Sequence, residues 1–218
     1  MTFSMLVRDR ETGELGAAAA TGNLAVGAWV LRAEAGVGAV ATQGLSVSVI
    51  WGAEVMRELA GGAGAQCALE AVIGADAGVA ARQLVVLDAA GNSAGWTGAS
   101  NVSVSEHDLM SDMAAAGNWL ANDLVLPALK RAFFATRGAM AVRLLSALEA
   151  GATAGGDARG VRSAALQVVS VERPPLDLRV DYSKTPIGDL KSLYAMTQDE
   201  EYQKFLAQLP TLSQPQRW

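Results

Sequence analysis

The chain has 218 residues, of which 51% are hydrophobic and 18% charged, with one cysteine, one histidine and a formal net charge of −5. That length suits one sizeable domain able to bury its own core, and no run reaches the ~18 apolar residues needed to span a bilayer, so a soluble chain with no membrane partner is expected. The acidic balance, without a Lys/Arg cluster, argues against nucleic acid; a single Cys67 excludes an internal disulfide and points to a reducing, cytoplasmic setting; a lone His107 excludes His-rich zinc spacings and weakens any Ser-His-Asp scheme.

The first segment, residues 3–9, alternates apolar side chains and follows Met1-Thr2 directly, so the sequence reads as entering a core strand with no leader or arm before it. A polar loop with Gly13 joins it to a strand over 15–21, giving a hairpin. The run Gly16-Ala17-Ala18-Ala19-Ala20 is too small to pack alone and predicts a backbone or helix lying close against it. A glycine-punctuated loop from Gly22 leads past Trp29 to a third strand at 36–42 that ends in Thr42-Gln43-Gly44.

Helical spacing follows over 49–59, stopped by Gly61-Gly62, and again over 65–73, where Cys67 is expected as a buried small hydrophobe. Strands at 83–88 and 93–97 form another hairpin. Residues 101–111 read as a polar loop over a pocket, with His107 a solvated surface histidine. The pattern over 113–134 predicts one long helix kinked or broken at Pro127, and 140–148 a second. Strands at 163–171 and 176–180, then helices at 187–195 and 200–209, close the chain. Hairpin connections predict an α+β protein with largely antiparallel sheets and helices on their outer faces.

Candidate chemistry sits where polar residues meet predicted element ends. Removal of Met1 would leave Thr2 with a hydroxyl and a free α-amine, a nucleophile carrying its own base; otherwise Thr2 is an ordinary β-branched strand residue. Asn118, placed at the start of the long helix, either donates its amide to a developing oxyanion or caps that helix. In the run 155–163, glycines surround Asp157 and Arg159, with Arg162 following. These either orient an amine and hold an anionic group or form an ion-paired turn between a helix and a strand. No Lys-Ser/Thr follows, and the next element is a strand, so a phosphate loop is rejected. Asn23, Thr42 and Gln43 line a pocket or terminate turns and strands. The tryptophans are core or pocket wall. Cys67 and Ser4 have no nearby base in sequence that would make either a nucleophile.

Several blocks in order, Met1-Thr2-Phe3-Ser4, Ala25-Val26-Gly27, residues 36–43, Gly117-Asn118, and Gly155-Gly156-Asp157 through Arg159-Gly160 to residues 163–166, resemble the domain-of-unknown-function family 1028, which is grouped with the N-terminal-nucleophile (Ntn) hydrolases. The resemblance runs to about Asp181. It implies a four-layer αββα sandwich over 1–181, a helical extension over 182–218 with no placed counterpart, and Thr2 as the nucleophile. Three places depart from the family pattern: residues 21–24, Arg162 where Gln is usual, and Asn101 near a position often held by Cys. Substrate expectations from relatives are therefore not carried over.

Together these readings predict hydrolysis of a small non-peptide amide or related C–N bond. Thr2 acts as nucleophile, Asn118 stabilises the oxyanion and Asp157 holds the amine. Asn23, Thr42, Gln43 and Arg159 or Arg162 contact substrate, and no metal or organic cofactor is needed. The alternative is a catalytically silent binding or assembly protein that keeps the sandwich. The apolar composition and amphipathic tail point to a homo-oligomer.

Overall fold

The chain's first hairpin sets the sheet. In the computed structural model, which describes residues 2–217, β1 (Thr2–Arg8) and β2 (Leu15–Thr21) pair antiparallel in the register Thr2 with Thr21 through Arg8 with Leu15. β1 takes a second antiparallel partner on its other side, β8 (Met113–Asn118), so that Thr2 also lies opposite Asn118. With β7 (Glu106–Met110), β9 (Ser163–Val169) and β10 (Leu176–Val180), these make a six-stranded sheet ordered β10-β9-β2-β1-β8-β7. β3 (Leu31–Glu34), β4 (Gly38–Gly44), β5 (Arg82–Asp88) and β6 (Ser93–Thr97) make a four-stranded sheet in that order. Every pairing between these strands is antiparallel.

Period-two alternation distributes the side chains. Phe3, Met5 and Val7 of β1 join a cluster with α4 (Val125–Ala135) and α5 (Met140–Thr153), whereas Leu6 joins the second sheet's Ala39, Ala41, Val85 and Leu87. The other face of the small sheet, with Val40, Leu84 and Val86, packs on α2 (Val49–Ala60) and α3 (Ala65–Ile73). The alanine run of β2 is buried on both faces, as its small side chains require. A Cβ on Gly16 would come within 2.7 Å of Leu144 and Met140 of α5. A short α1 (Val26–Trp29) follows β2. Near the C-terminus, α6 (Pro186–Met196) sends Ile187 and Leu190 into the cluster under the large sheet, while α7 (Glu200–Gln208) buries none of its residues.

Three expectations are corrected. The helix predicted over 113–134 is a buried strand, β8, followed by a turn and then α4. Alanine favours helix, but Ala114, Ala115 and Ala116 are hemmed between β1 and β7 with neighbours on both faces, and tertiary packing overrides propensity. Pro127 falls in the first turn of α4, where its missing N–H needs no partner, so it neither kinks nor breaks that helix. The polar loop predicted over 101–111 contains the edge strand β7, whose polar side chains suit an edge. Cys67 is exposed, because α3 turns Ala65, Ala68, Leu69 and Val72 inward and leaves Cys67 on the opposite side. His107 is exposed as expected, with its Nδ1 2.9 Å from Thr97 Oγ1. Although the residue is exposed, its ring packs over Gly95, and the partial desolvation there lowers its pKa, partly offset by Asp108. Among the described residues no helix is long and apolar enough to cross a membrane.

Candidate functional site

Antiparallel pairing brings the start of β1 beside the ends of β2 and β8, which gathers Thr2, Thr21 and Asn118 at one end of the large sheet. Thr2 is 6% exposed and donates from Oγ1 to Thr21 Oγ1 at 3.3 Å. Beneath it, between the sheets, runs a chain of buried amides. Ser4 Oγ donates to Gln43 Oε1 at 2.7 Å. Gln43 Nε2 donates to the Thr2 carbonyl at 3.2 Å and to Gln83 Oε1 at 2.7 Å. Gln83 also accepts from Asn118 Nδ2 at 3.0 Å, and its own Nε2 reaches the Gly117 carbonyl at 2.8 Å, the Glu106 carbonyl at 3.0 Å and Thr97 Oγ1 at 2.9 Å. Buried polar groups are tolerable only when bonded, and this network ties the backbone of Thr2 to both sheets.

The second component is the turn between α5 and β9. Asp157 is 2% exposed and accepts from the Gly22 backbone N–H and, at 2.8 Å, from that of Arg159. Gly22 is required there: a Cβ would lie 2.6 Å from the Gly160 carbonyl and 2.7 Å from either Asp157 carboxylate oxygen. The Arg159 guanidinium lies 3.3–3.4 Å from the same carboxylate and 5.1 Å from the centre of the Trp119 ring. The loop after Gly22 is pinned by Ser163, whose Oγ donates to the Asn23 carbonyl at 2.9 Å and accepts from Val26 N at 3.1 Å.

Between these components lies a cavity of about 350 Å³. Thr2, Asn23, Gln43 and Arg159 line it; Asn118, Asp157, Thr42 and Arg162 do not. Asn118 ends β8 instead of starting a helix, and its amide is directed at Gln83, so the cap reading is withdrawn. Strand alternation turns Thr42 away from Gln43 and toward α2, where its methyl packs on Gly52 and its hydroxyl donates to the Trp29 carbonyl. Arg162 is exposed and contributes its backbone N–H to the Thr21 carbonyl at 2.7 Å. Of residues 21–24, which depart from the family pattern, Thr21, Asn23 and Leu24 line the cavity; Gln83 and the wall residues Leu45 and Val47 were not singled out from the sequence. Gln83 is visible there only as one polar residue opening a hydrophobic strand. Among the described residues no group of His, Cys, Asp and Glu could hold a metal ion.

Two stacked antiparallel sheets with helices, and a cavity where the first strand begins, define the class of fold. Residues 2–190 match the model of a family of unknown function, DUF1028, and the chain belongs to that family. The crystal structure of protein SPO2555 from Silicibacter pomeroyi, a DUF1028 protein, is 40% identical, with a TM-score of 0.94 over 99% of this chain and 98% of that one. The family match thus continues past Asp181, and the Silicibacter structure extends over nearly the whole tail. Anbu (ancestral beta-subunit) from Yersinia bercovieri superposes only weakly, with a TM-score of 0.41 at 11% identity over 96% of this chain and 99% of its own. No curated protein matches the chain.

Proposed function

We propose that the protein is an N-terminal-threonine hydrolase of a small, non-peptide amide or related C–N bond, built on the four-layer αββα sandwich of the Ntn hydrolases. The observation that carries this reading is the position of Thr2: its hydroxyl sits at the wall of the cavity, on the first residue of an inner strand, hydrogen-bonded to Thr21. Met1 lies outside the described residues, and the mechanism requires its removal. The freed α-amine, titrating near ~8, takes the Thr2 hydroxyl proton as Oγ attacks the carbonyl carbon. The tetrahedral intermediate collapses to an acyl ester as the C–N bond breaks, and the amine leaves with that proton. A water molecule, deprotonated by the same α-amine, then hydrolyses the ester and regenerates Thr2.

In this scheme Asp157, already accepting from Gly22 beside Thr21, orients the amine. Asn118 reaches the oxyanion with the second hydrogen of its amide, the first being held by Gln83. Gln43 has both amide hydrogens engaged, so its part is to hold the Thr2 carbonyl. That Asn118 lies outside the cavity wall favours the second reading, a silent binding protein.

Intact mass of the protein from its native host, with and without a β-lactone probe that acylates a nucleophilic hydroxyl by ring opening, separates the two. Loss of one Met and an adduct that disappears in Thr2→Ala supports the hydrolase. A retained Met with no adduct sinks it.

A further inference from the structure

The cavity at Thr2 has an uneven chemistry. Among the described residues Arg159 is the one charged side chain in its wall, and no carboxylate lines it. The guanidinium is not consumed by its neighbours. Asp157 contacts Nε and one Nη2 hydrogen at 3.3–3.4 Å, while its oxygens make their shorter bonds to backbone N–H groups. Among the described residues Nη1 has no hydrogen-bond partner. The Trp119 ring lies 5.1 Å from the guanidinium carbon, within cation–π reach. Thr2, Thr21, Asn23 and Gln43 contribute neutral polar groups to the wall, and the rest of it is apolar: Leu24, Trp29 and Leu45 are each more than half exposed at the mouth, with Val47 beside them and Val26 and Val30 deeper. Gln43 has no free amide hydrogen to offer a ligand.

We infer that the site takes an amphipathic anionic amide: one molecule carrying an apolar substituent for the Leu24–Trp29–Leu45–Val47 wall and a carboxylate for Arg159. The inference rests on the hydrolase reading for the word amide, and on the cavity alone for the rest. A cavity of about 350 Å³ lies at the lower end of the roughly 300–1,000 Å³ typical of small-molecule sites. It therefore suits a short acylated amino acid, and the rim side chains converge on one concavity that such a ligand would cover. A guanidinium with free donors discriminates for a planar carboxylate over a neutral amide.

The test is titration calorimetry on the full chain bearing Thr2→Ala, which prevents turnover, with three probes: N-hexanoylglycine, N-acetylglycine and hexanamide. N-hexanoylglycine is expected to bind at least about tenfold more tightly than either of the others. Arg159→Gln erases its advantage over hexanamide, and Arg159→Lys restores part of it. Trp29→Ala combined with Leu45→Ala erases its advantage over N-acetylglycine; both side chains are exposed, and circular dichroism checks that the variants fold. Equal affinities for the three probes, or a preference that these substitutions leave unchanged, overturn the inference. So does a chain that ignores all three and dissociates from dimer to monomer on Leu45→Asp, since the rim would then be a contact between copies. The two readings fail separately. Wild type that binds N-hexanoylglycine with the stated preference but never cleaves it loses the hydrolase and keeps the ligand class. Wild type that cleaves hexanamide and N-acetylglycine as fast as N-hexanoylglycine keeps the hydrolase and loses the ligand class.

Discussion

Gly22 and Gln83 show how narrowly individual residues are constrained around Thr2. A methyl group on Gly22 would strike the Gly160 carbonyl and both Asp157 oxygens, so Gly22→Ala must push Asp157 away from the backbone N–H that it accepts. Overpacking of this kind costs about 1–3 kcal/mol, read as a lower urea midpoint. If Asp157 orients the amine, the rate of Thr2 labelling falls with it; an unchanged midpoint would show that the loop moves freely. Gln83→Leu removes the acceptor used by Gln43 and Asn118 and the donors to the buried Gly117 carbonyl, the half-buried Glu106 carbonyl and Thr97. Each buried group left unpaired costs about 1–3 kcal/mol, so this substitution should destabilise far more than its small change in volume suggests. Thr2, Asn23, Gln43 and Arg159 were all visible in the sequence because they sit at glycine-marked turns or element ends, and the fold brings these four to one cavity. Gln83 was not, because its partners lie 14–40 positions away along the chain and only strand pairing reveals them.

At the scale of elements, α3 depends on a cap that it does not carry. Its N-cap is Gly64, without a side chain to accept, and Asp88 from the end of β5 substitutes, taking the Ala65 N–H at 3.1 Å. Burial pushes the Asp88 carboxyl up, but the Asn92 side chain and the N–H groups of Ala65, Asn92 and Ala90 outweigh it and hold the group below its ordinary value. A depressed carboxyl favours the folded state fully above the unfolded value of ~3.9 and loses that contribution as pH falls through the lower folded value. Asp88→Asn keeps one acceptor and loses the charge, so it should cost about 1–2 kcal/mol at pH 7. The gap from wild type should shrink when urea titrations are repeated near pH 3; a gap independent of pH would rule out the carboxylate as its source. The sequence could not disclose this cap, since Asp88 and Ala65 belong to different elements. The same blindness explains β8: nothing in Met113–Asn118 distinguishes an alanine strand from an alanine helix until β1 and β7 flank it. Elements whose side chains alternate strongly or whose ends carry glycine, such as β2 and α3, were legible because the signal is local.

At the scale of the whole molecule, the buried apolar side chains among the described residues fall into three clusters, one between the sheets and one under the helices on either side. Alanine dominates the large sheet's share of the middle cluster, which lets the sheets approach closely enough for Ser4, Gln43 and Gln83 to bond across the gap. The tail divides on the same criterion. α7 buries nothing and is joined to the rest largely through surface contacts, among them Ser213 N to the Val171 carbonyl at 2.9 Å and Ser213 Oγ to Glu172 at 2.8 Å. α6 instead places Leu190, fully buried, and Ile187 in the cluster that holds Phe3 and Leu144. Truncation after Thr197 should therefore remove hydrogen bonds of about 0.5–1.5 kcal/mol each and the limited packing of Thr211 and the half-buried Leu206 and Leu209, and leave a cooperative urea transition. Truncation after Lys184 also strips two large apolar side chains worth roughly 1.5–3 kcal/mol apiece, a substantial part of the ~5–15 kcal/mol that holds a domain together. Because Phe3 follows Thr2 on β1 and packs in that cluster, the longer truncation should slow the labelling of Thr2 as well as lower the urea midpoint. Equal midpoints for the two truncations would mean that α6 is an appendage and that the core under the large sheet closes without it.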